Sequence, residues 1–278
     1  MYKMRLLRYA GSKDKHTNIV NSYIVNSNSK IYCEPFLGGG SIFINLYKDF
    51  DEYRINDISQ YLVKIWNSVH KYTWNDFNDF YTQIFNEYGY FKNTTNIIQA
   101  KENYYNFRTF YNLNIWNKNN EHEGFYILLL YNSCINSMAR WGPNGFNQAA
   151  GNRLYLPDKI TWTNIHNKLK RTIITNMDFF DFLDTVKDKS LMFLDPPYLQ
   201  SAMPYSGNMD NDYYTKFQNY VNNSTNEILY TDNDHNDCIL DKIIINSKMS
   251  NISPNNKIKT APKQEALFFN IHNKLNLF

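Results

Sequence analysis

An acid, two prolines and an aromatic ring stand in a row at Asp195-Pro196-Pro197-Tyr198, closing the apolar run Leu191-Met192-Phe193-Leu194. The run has the composition of a buried parallel strand. Neither proline can extend a sheet ladder, so the strand stops and presents a carboxylate, fixed carbonyls and a ring at its C-terminal edge. In open α/β sheets, ligands bind at that edge. The set suits the exocyclic amine of a flipped base, with Asp195 and the Pro196 carbonyl accepting its two hydrogens and Tyr198 stacked on the ring. Taken alone, the tetrapeptide is also compatible with a strand followed by a proline turn.

A second segment, Tyr32-Cys33-Glu34-Pro35-Phe36-Leu37-Gly38-Gly39-Gly40-Ser41, reads as a strand running into glycines that let a ligand approach the backbone closely. The residues after it, Ile42-Phe43-Ile44-Asn45-Leu46, are expected to be helical. No Gly-Lys-Ser/Thr follows the glycines, which argues against a phosphate-cradling P-loop, and Phe43 stands where a dinucleotide fingerprint needs its third glycine. A nucleoside without a pyrophosphate fits better. Asp57, after the next strand and roughly 20 residues beyond the glycines, has the place of a carboxylate that binds ribose hydroxyls. Its alternative is a helix N-cap.

The third segment is Arg8-Tyr9-Ala10-Gly11-Ser12-Lys13. Taken in order, the three segments resemble the Dam-like, D12 class of DNA adenine-N6 methyltransferases, whose members read Tyr-x-Gly-Gly-Lys, then a Glu/Asp-Pro-Phe-x-Gly-x-Gly type segment, then Asp-Pro-Pro-Tyr. The resemblance covers nearly the whole chain. It takes in Asn132 to Arg140, then Gly145-Phe146-Asn147, and the near-terminal strand Glu265 to Asn270. It implies an α/β fold: a Rossmann-like S-adenosylmethionine-dependent methyltransferase sheet with an inserted, mainly helical target-recognition domain. The implied enzyme moves a methyl group from S-adenosyl-L-methionine to adenine N6 in a short double-stranded DNA sequence, for which GATC is the commonest target in the resembled family.

By the same resemblance, Tyr9 and Lys13 lie near the methionine end of the cofactor, Phe36, Gly38 and Gly40 along its backbone, and Asp57 at its ribose. Asp178 and Phe179 lie at its adenine, Asp178 having N-capping of the following helix as an equal alternative. Gly11, Glu34, Pro35, Ser41 and Asp195 complete the cofactor set. Asn136, Ser137, Met138, Arg140 and Asn147 belong to the segment that contacts the recognition sequence. From the residues alone, Met138 to Asn147 carries an arginine on a Pro-Asn-Gly hairpin signal, which can present two donors to guanine O6 and N7 or pair with a surface carboxylate. Arg153 is a phosphate contact in this reading, as most protein–DNA hydrogen bonds are. Two departures stand out: Ser12 replaces the second glycine of Tyr-x-Gly-Gly-Lys, and Ala149-Ala150 replaces a proline and an aromatic residue.

The chemistry asked of these residues is specific. The lone pair of an exocyclic amine is delocalised into the ring, so the enzyme must favour the geometry in which the pair localises, which Asp195 and the Pro196 carbonyl do by holding both hydrogens. Transfer from a sulfonium donor needs in-line alignment and no covalent intermediate. Cytosine-C5 methylation uses a Pro-Cys nucleophile, whereas Cys33, Cys134 and Cys238 follow Tyr, Ser and Asp. Two alternatives stay open at this point: an N4-cytosine methyltransferase, whose target amine is chemically similar, and a catalytically idle DNA-binding module of the same fold.

Strands expected near Lys30 to Glu34, Tyr53 to Asn56, Thr172 to Thr175, Ser190 to Leu194 and Glu227 to Thr231 alternate with helical stretches, an α/β pattern. Between about Ser59 and Thr163 the strand signal gives way to aromatic-rich amphipathic segments, including Trp74 to Phe85, Ala100 to Tyr111 and Gly124 to Cys134. Residues 59–163 are therefore read as the DNA-binding insertion, and 1–58 with 164–278 as the catalytic domain. Lys257 to Phe269 reads as a hairpin bent at Ala261-Pro262-Lys263-Gln264, and Gln200 to Asp212 as a polar loop able to close over a flipped base. The formal charge of +3 neither demands nor excludes DNA. The three widely spaced cysteines form neither a disulfide framework nor a zinc pattern, so no metal is expected. The N-terminus lacks a signal peptide's apolar stretch, and no run approaches a membrane span. A cytoplasmic protein without a membrane partner, monomeric or weakly dimeric, is expected in a prokaryotic or phage-infected cell.

Overall fold

The computed structural model describes residues 3–89, 96–197, 210–234, 238–245 and 264–271. In chain order its elements are α1 (Thr17–Ile24), β1 (Ile31–Glu34), β2 (Glu52–Asn56), α2 (Gln60–Lys71), α3 (Trp74–Tyr88), α4 (Ile97–Phe110) and α5 (Glu123–Ser133). There follow the short strands β3 (Trp141–Gly142) and β4 (Gly145–Phe146), then α6 (Lys159–Leu169), β5 (Thr172–Thr175), α7 (Phe179–Thr185), β6 (Leu191–Leu194), α8 (Asn211–Asn223), β7 (Glu227–Asn233), β8 (Asp241–Ile245) and β9 (Glu265–Phe269). The fold is mixed α/β, and its chain gathers into two compact units. One comprises Met1–Asp14, Gly38–Asn45 and Ser59–Asn176; the other comprises Lys15–Leu37, Leu46–Ile58 and Met177–Phe278. Every residue of 59–163 falls in the first unit, together with the N-terminal segment, the glycines after β1 and residues 164–176.

In the second unit the strands lie in the order β2-β1-β6-β7-β9-β8. The first four pair in parallel, and β9 pairs antiparallel with both β7 and β8. All four residues of β6 are buried, as a central parallel strand covered on both faces requires. On one face Met192, Leu194, Ile228, Tyr230 and Phe268 pack with Phe179 and Phe182 of α7 and Phe217 and Val221 of α8. Glu227 at the start of β7 accepts hydrogen bonds from Ser27 Oγ, Asn28 N at 3.1 Å, Ser29 N at 3.3 Å and Ser29 Oγ at 2.7 Å, which fastens the loop after α1. The expected strand at Glu265 to Phe269 is present, while residues 257–263 lie outside the described residues. Its antiparallel partner β8 went unread in the sequence.

The first unit is mainly helical and built on aromatic packing. Phe77 of α3 stacks on Trp162 of α6, with ring centroids 4.4 Å apart, and Phe125 of α5 meets Phe77 edge-on at 5.3 Å. Thr73 and Asp76 form a capping box at the start of α3, and Gly89, at φ 57°, ends it in the left-handed conformation. Asn132 near the end of α5 fastens the N-terminal segment, accepting from Arg8 N at 2.8 Å and donating to Leu6 O at 3.3 Å.

The helix expected at Ile42 to Leu46 is a single 3-10 turn, Phe43–Asn45. Ile42, Phe43 and Ile44 are all buried. Asn45 ends the turn with its side chain, which bonds Met4 N, Met4 O and Ser41 O, each at 2.9 Å.

Candidate active site

The parallel register of β1 and β6, with Tyr32 opposite Leu191 and Cys33 opposite Met192, makes both strands end at the same sheet edge. Asp195, Pro196 and Pro197 leave β6 there, Pro196 buried and its two neighbours half-buried. Asp195 does not stand alone: Thr231 Oγ of β7 donates to its Oδ1 at 2.7 Å. Sequence reading had not singled out Thr231, since nothing local marks it. Tyr198 and the loop to 209 lie outside the described residues.

At the end of β1, the buried Glu34 accepts the Tyr32 hydroxyl at 2.6 Å. Phe36 stacks on Phe179 with centroids 5.0 Å apart and meets the edge of Phe217 at 6.0 Å. The organiser of this edge is Asn56, the last residue of β2 and a second residue missed in the sequence. Its side-chain amide donates to Pro35 O at 3.1 Å and Met177 O at 3.0 Å and accepts from Met177 N at 3.0 Å. One side chain thus holds the loops that carry Pro35, Asp57 and Asp178. Asp57 is buried. Asp178 is the N-cap of α7, accepting from Phe180 N at 2.9 Å, and its second oxygen accepts the Tyr213 hydroxyl at 2.8 Å. Burial, then this carboxylate, pushes the Tyr213 hydroxyl well above its ordinary pKa, so it stays a donor.

In the first unit Tyr9 lies over the glycine turn. A Cβ on Gly38 would come within 2.8 Å of Tyr9 Cε1, and one on Gly39 within 2.8 Å of Tyr9 Cβ. Gly38 and Gly40 have φ of 51° and 63°, so only glycine fits without strain. Trp66 Nε1 reaches the Gly38 carbonyl at 3.4 Å, and Ser41 beyond it is buried. Lys13 is buried and donates to Gly11 O at 3.2 Å. Gly11 has φ 82°, whereas Ser12 stays out of the left-handed region, which explains why serine is tolerated in place of the second glycine. The Tyr9 side chain thus packs directly on the buried glycine turn, where any larger residue at 38 or 39 would displace it.

The first unit also holds the proposed DNA contacts. Asn136 and Ser137 are consecutive non-glycine residues at φ 54° and 53°, a strained conformation of the kind found at functional sites. Asn136, Arg140, Asn147 and Arg153 are exposed, Met138 is half-buried and Ser137 buried. Arg140 Nε donates to Asn147 Oδ1 at 2.8 Å across the β3–β4 hairpin, so its observed partner is an amide and not a carboxylate. The hairpin is clamped by Asn112, whose side chain bonds Phe146 O at 2.9 Å and Phe146 N at 2.8 Å. Ala149 N donates to Gln148 Oε1 at 3.1 Å, a bond a proline at 149 could not make.

No helix among the described residues is long and apolar enough to cross a membrane. A family model described as D12 class N6 adenine-specific DNA methyltransferase matches residues 9–275. Comparison with curated proteins gives no match.

Proposed function

Since the chain belongs to the D12 class N6 adenine-specific DNA methyltransferase family, an enzyme family acting on DNA, we propose that it methylates adenine N6 in a short duplex sequence with S-adenosyl-L-methionine as donor. The observation that carries this reading is Asp195, held at the end of a buried parallel strand by Thr231 and followed by two prolines that stop the ladder. Asp195 and the Pro196 carbonyl accept the two amine hydrogens, localise the nitrogen lone pair and stabilise the positive charge that develops on it. Adenine in a duplex must leave the stack to reach them, and Tyr198 gives it a stacking surface.

The donor supplies a methyl group on a sulfonium, already activated for in-line attack. In the second unit Glu34, Pro35, Phe36, Asp57, Asp178 and Phe179 would hold its adenosine portion, Asp57 through the ribose hydroxyls. Tyr9, Gly11, Lys13, Gly38, Gly40 and Ser41 are the further donor-binding residues implied by the family resemblance. The DNA-reading residues are Asn136, Ser137, Met138, Arg140 and Asn147, with Arg153 on phosphate, all within the 59–163 recognition insertion. GATC is the first sequence to test, and the protein works as a monomer or weak dimer in the cytoplasm. Incubation of duplex DNA with purified protein and donor, followed by nucleoside mass spectrometry, should yield N6-methyladenine. Formation of N4-methylcytosine instead would overturn the assignment of the target base.

A further inference from the structure

We propose that Thr231 is the positioning residue for Asp195, an inference that rests on Asp195 being the group that holds the target amine. Thr231 sits on the central strand β7, is fully buried, and follows the apolar run Ile228-Leu229-Tyr230. At such a site valine would fill the same volume without a hydroxyl to desolvate, so the hydroxyl needs a partner. Its partner is Asp195. Thr231 Oγ1 lies 2.7 Å from Asp195 Oδ1 and 3.4 Å from Leu194 O, so its single proton goes to the nearer and charged carboxylate.

The strand that carries Thr231 is itself pinned. Thr231 pairs with Leu267 of β9 across the ladder, and the next residue, the buried Asp232, accepts the hydroxyls of Tyr230 and, at 3.0 Å, of Tyr214. Gln218 of α8 donates to the Tyr230 hydroxyl at 3.0 Å. The Oγ of Thr231 is therefore fixed by the sheet and not by a mobile rotamer, since a β-branched side chain has little χ1 freedom. A carboxylate on a strand end can rotate about its Cβ–Cγ bond. A donor locked on Oδ1 fixes the plane of the group and so the direction in which Oδ2 meets the amine. Orientation of that kind acts on the transfer step and not on donor binding.

The test compares Thr231→Val, which keeps shape, with Thr231→Ser, which keeps the hydroxyl, in wild-type and Asp195→Ala backgrounds. Thr231→Val should lower single-turnover methyl transfer roughly 10- to 100-fold, the range expected when a hydrogen bond to a charged group is lost. Melting temperature, equilibrium binding of S-adenosylmethionine and flipping of 2-aminopurine at the target position should stay near wild type, and Thr231→Ser should restore most of the rate. In the Asp195→Ala background the valine substitution should have no further effect. Full activity in Thr231→Val beside an inactive Asp195→Ala overturns the positioning role alone. Full activity in Asp195→Ala overturns the reading of Asp195 on which it rests. A folded Thr231→Val that loses rate without rescue by serine assigns the defect to packing and overturns the hydrogen-bond account.

Discussion

At the residue scale, the chemistry requires a carboxylate and no thiol. Burial pushes the Cys33 and Cys134 thiols up to about 12, and burial raises Cys238 as well. Only a thiolate reacts as a nucleophile, so at pH 8 all three should resist a thiol reagent in the native protein and react on unfolding. Methyl transfer should survive such treatment. Rapid labelling of one cysteine with loss of transfer would place a thiol at the site. For Arg140, whose Nε is held by Asn147, the remaining donors are on its two Nη nitrogens. Arg140→Ala should reduce discrimination at one base pair by about 1–3 kcal/mol, measured as binding to a panel of single-substituted duplexes. Equal weakening on every duplex would make Arg140 a phosphate contact instead.

At the element scale, two positions carry testable packing claims. Gly124 lets α5 lie against α2 so closely that a Cβ would sit 2.2 Å from both the Lys64 carbonyl oxygen and Ser68 Oγ. Backbone cannot yield cheaply, so Gly124→Ala should destabilise the protein by about 1–3 kcal/mol or more, read from a shifted urea midpoint. Glu227 fastens the loop after α1. Burial alone would raise its carboxyl, but the hydroxyls of Ser27 and Ser29 and the amides of Asn28 and Ser29 outweigh it and hold the group below its ordinary value of 4.5. A carboxyl depressed on folding contributes stability above its unfolded pKa, and that contribution is lost as pH falls from 4.5 through the lowered folded value. Glu227→Gln should therefore be less stable near neutrality and show a flatter acid limb when stability is followed against pH.

The same scale shows what a sequence can tell. The strands at 31–34, 52–56, 172–175, 191–194 and 227–233 were legible because each is a short β-rich run bounded by turn residues. The aromatic helix Trp74–Tyr88 was legible from its periodicity, whereas Glu123–Ser133, buried at nearly every position, was legible from its apolar length. Phe43–Asn45 was misread because the bonds of the Asn45 side chain to Met4 and to Ser41 O, which end the turn, are not visible in the local sequence. β8 escaped because Asp241 and Lys242 precede its isoleucines and its pairing with β9 is what defines it. The contacts that organise the site are invisible locally: Thr231 lies 36 residues from Asp195, and Asn56 lies 121 from Met177. Their partners are chosen by strand order, which no local pattern encodes.

At the scale of the whole molecule, a formal charge of +3 gives DNA affinity no global source, so binding must come from local cations. Affinity should fall steeply with salt, and Arg153→Ala should lower the slope of log K against log salt by about 1 without changing sequence preference. The first unit holds Tyr9, Lys13, the glycine turn and the β3–β4 hairpin, and the second holds the sheet edge with Asp195. The central claim is that Asp195 carries the modification of one adenine in one sequence. Single-base-resolution modification sequencing of DNA from cells expressing the wild-type protein, beside an Asp195→Ala control, tests it most directly. The account predicts N6-methyladenine confined to one short motif in the wild type and absent from the control; identical profiles, or modified cytosines, would contradict it.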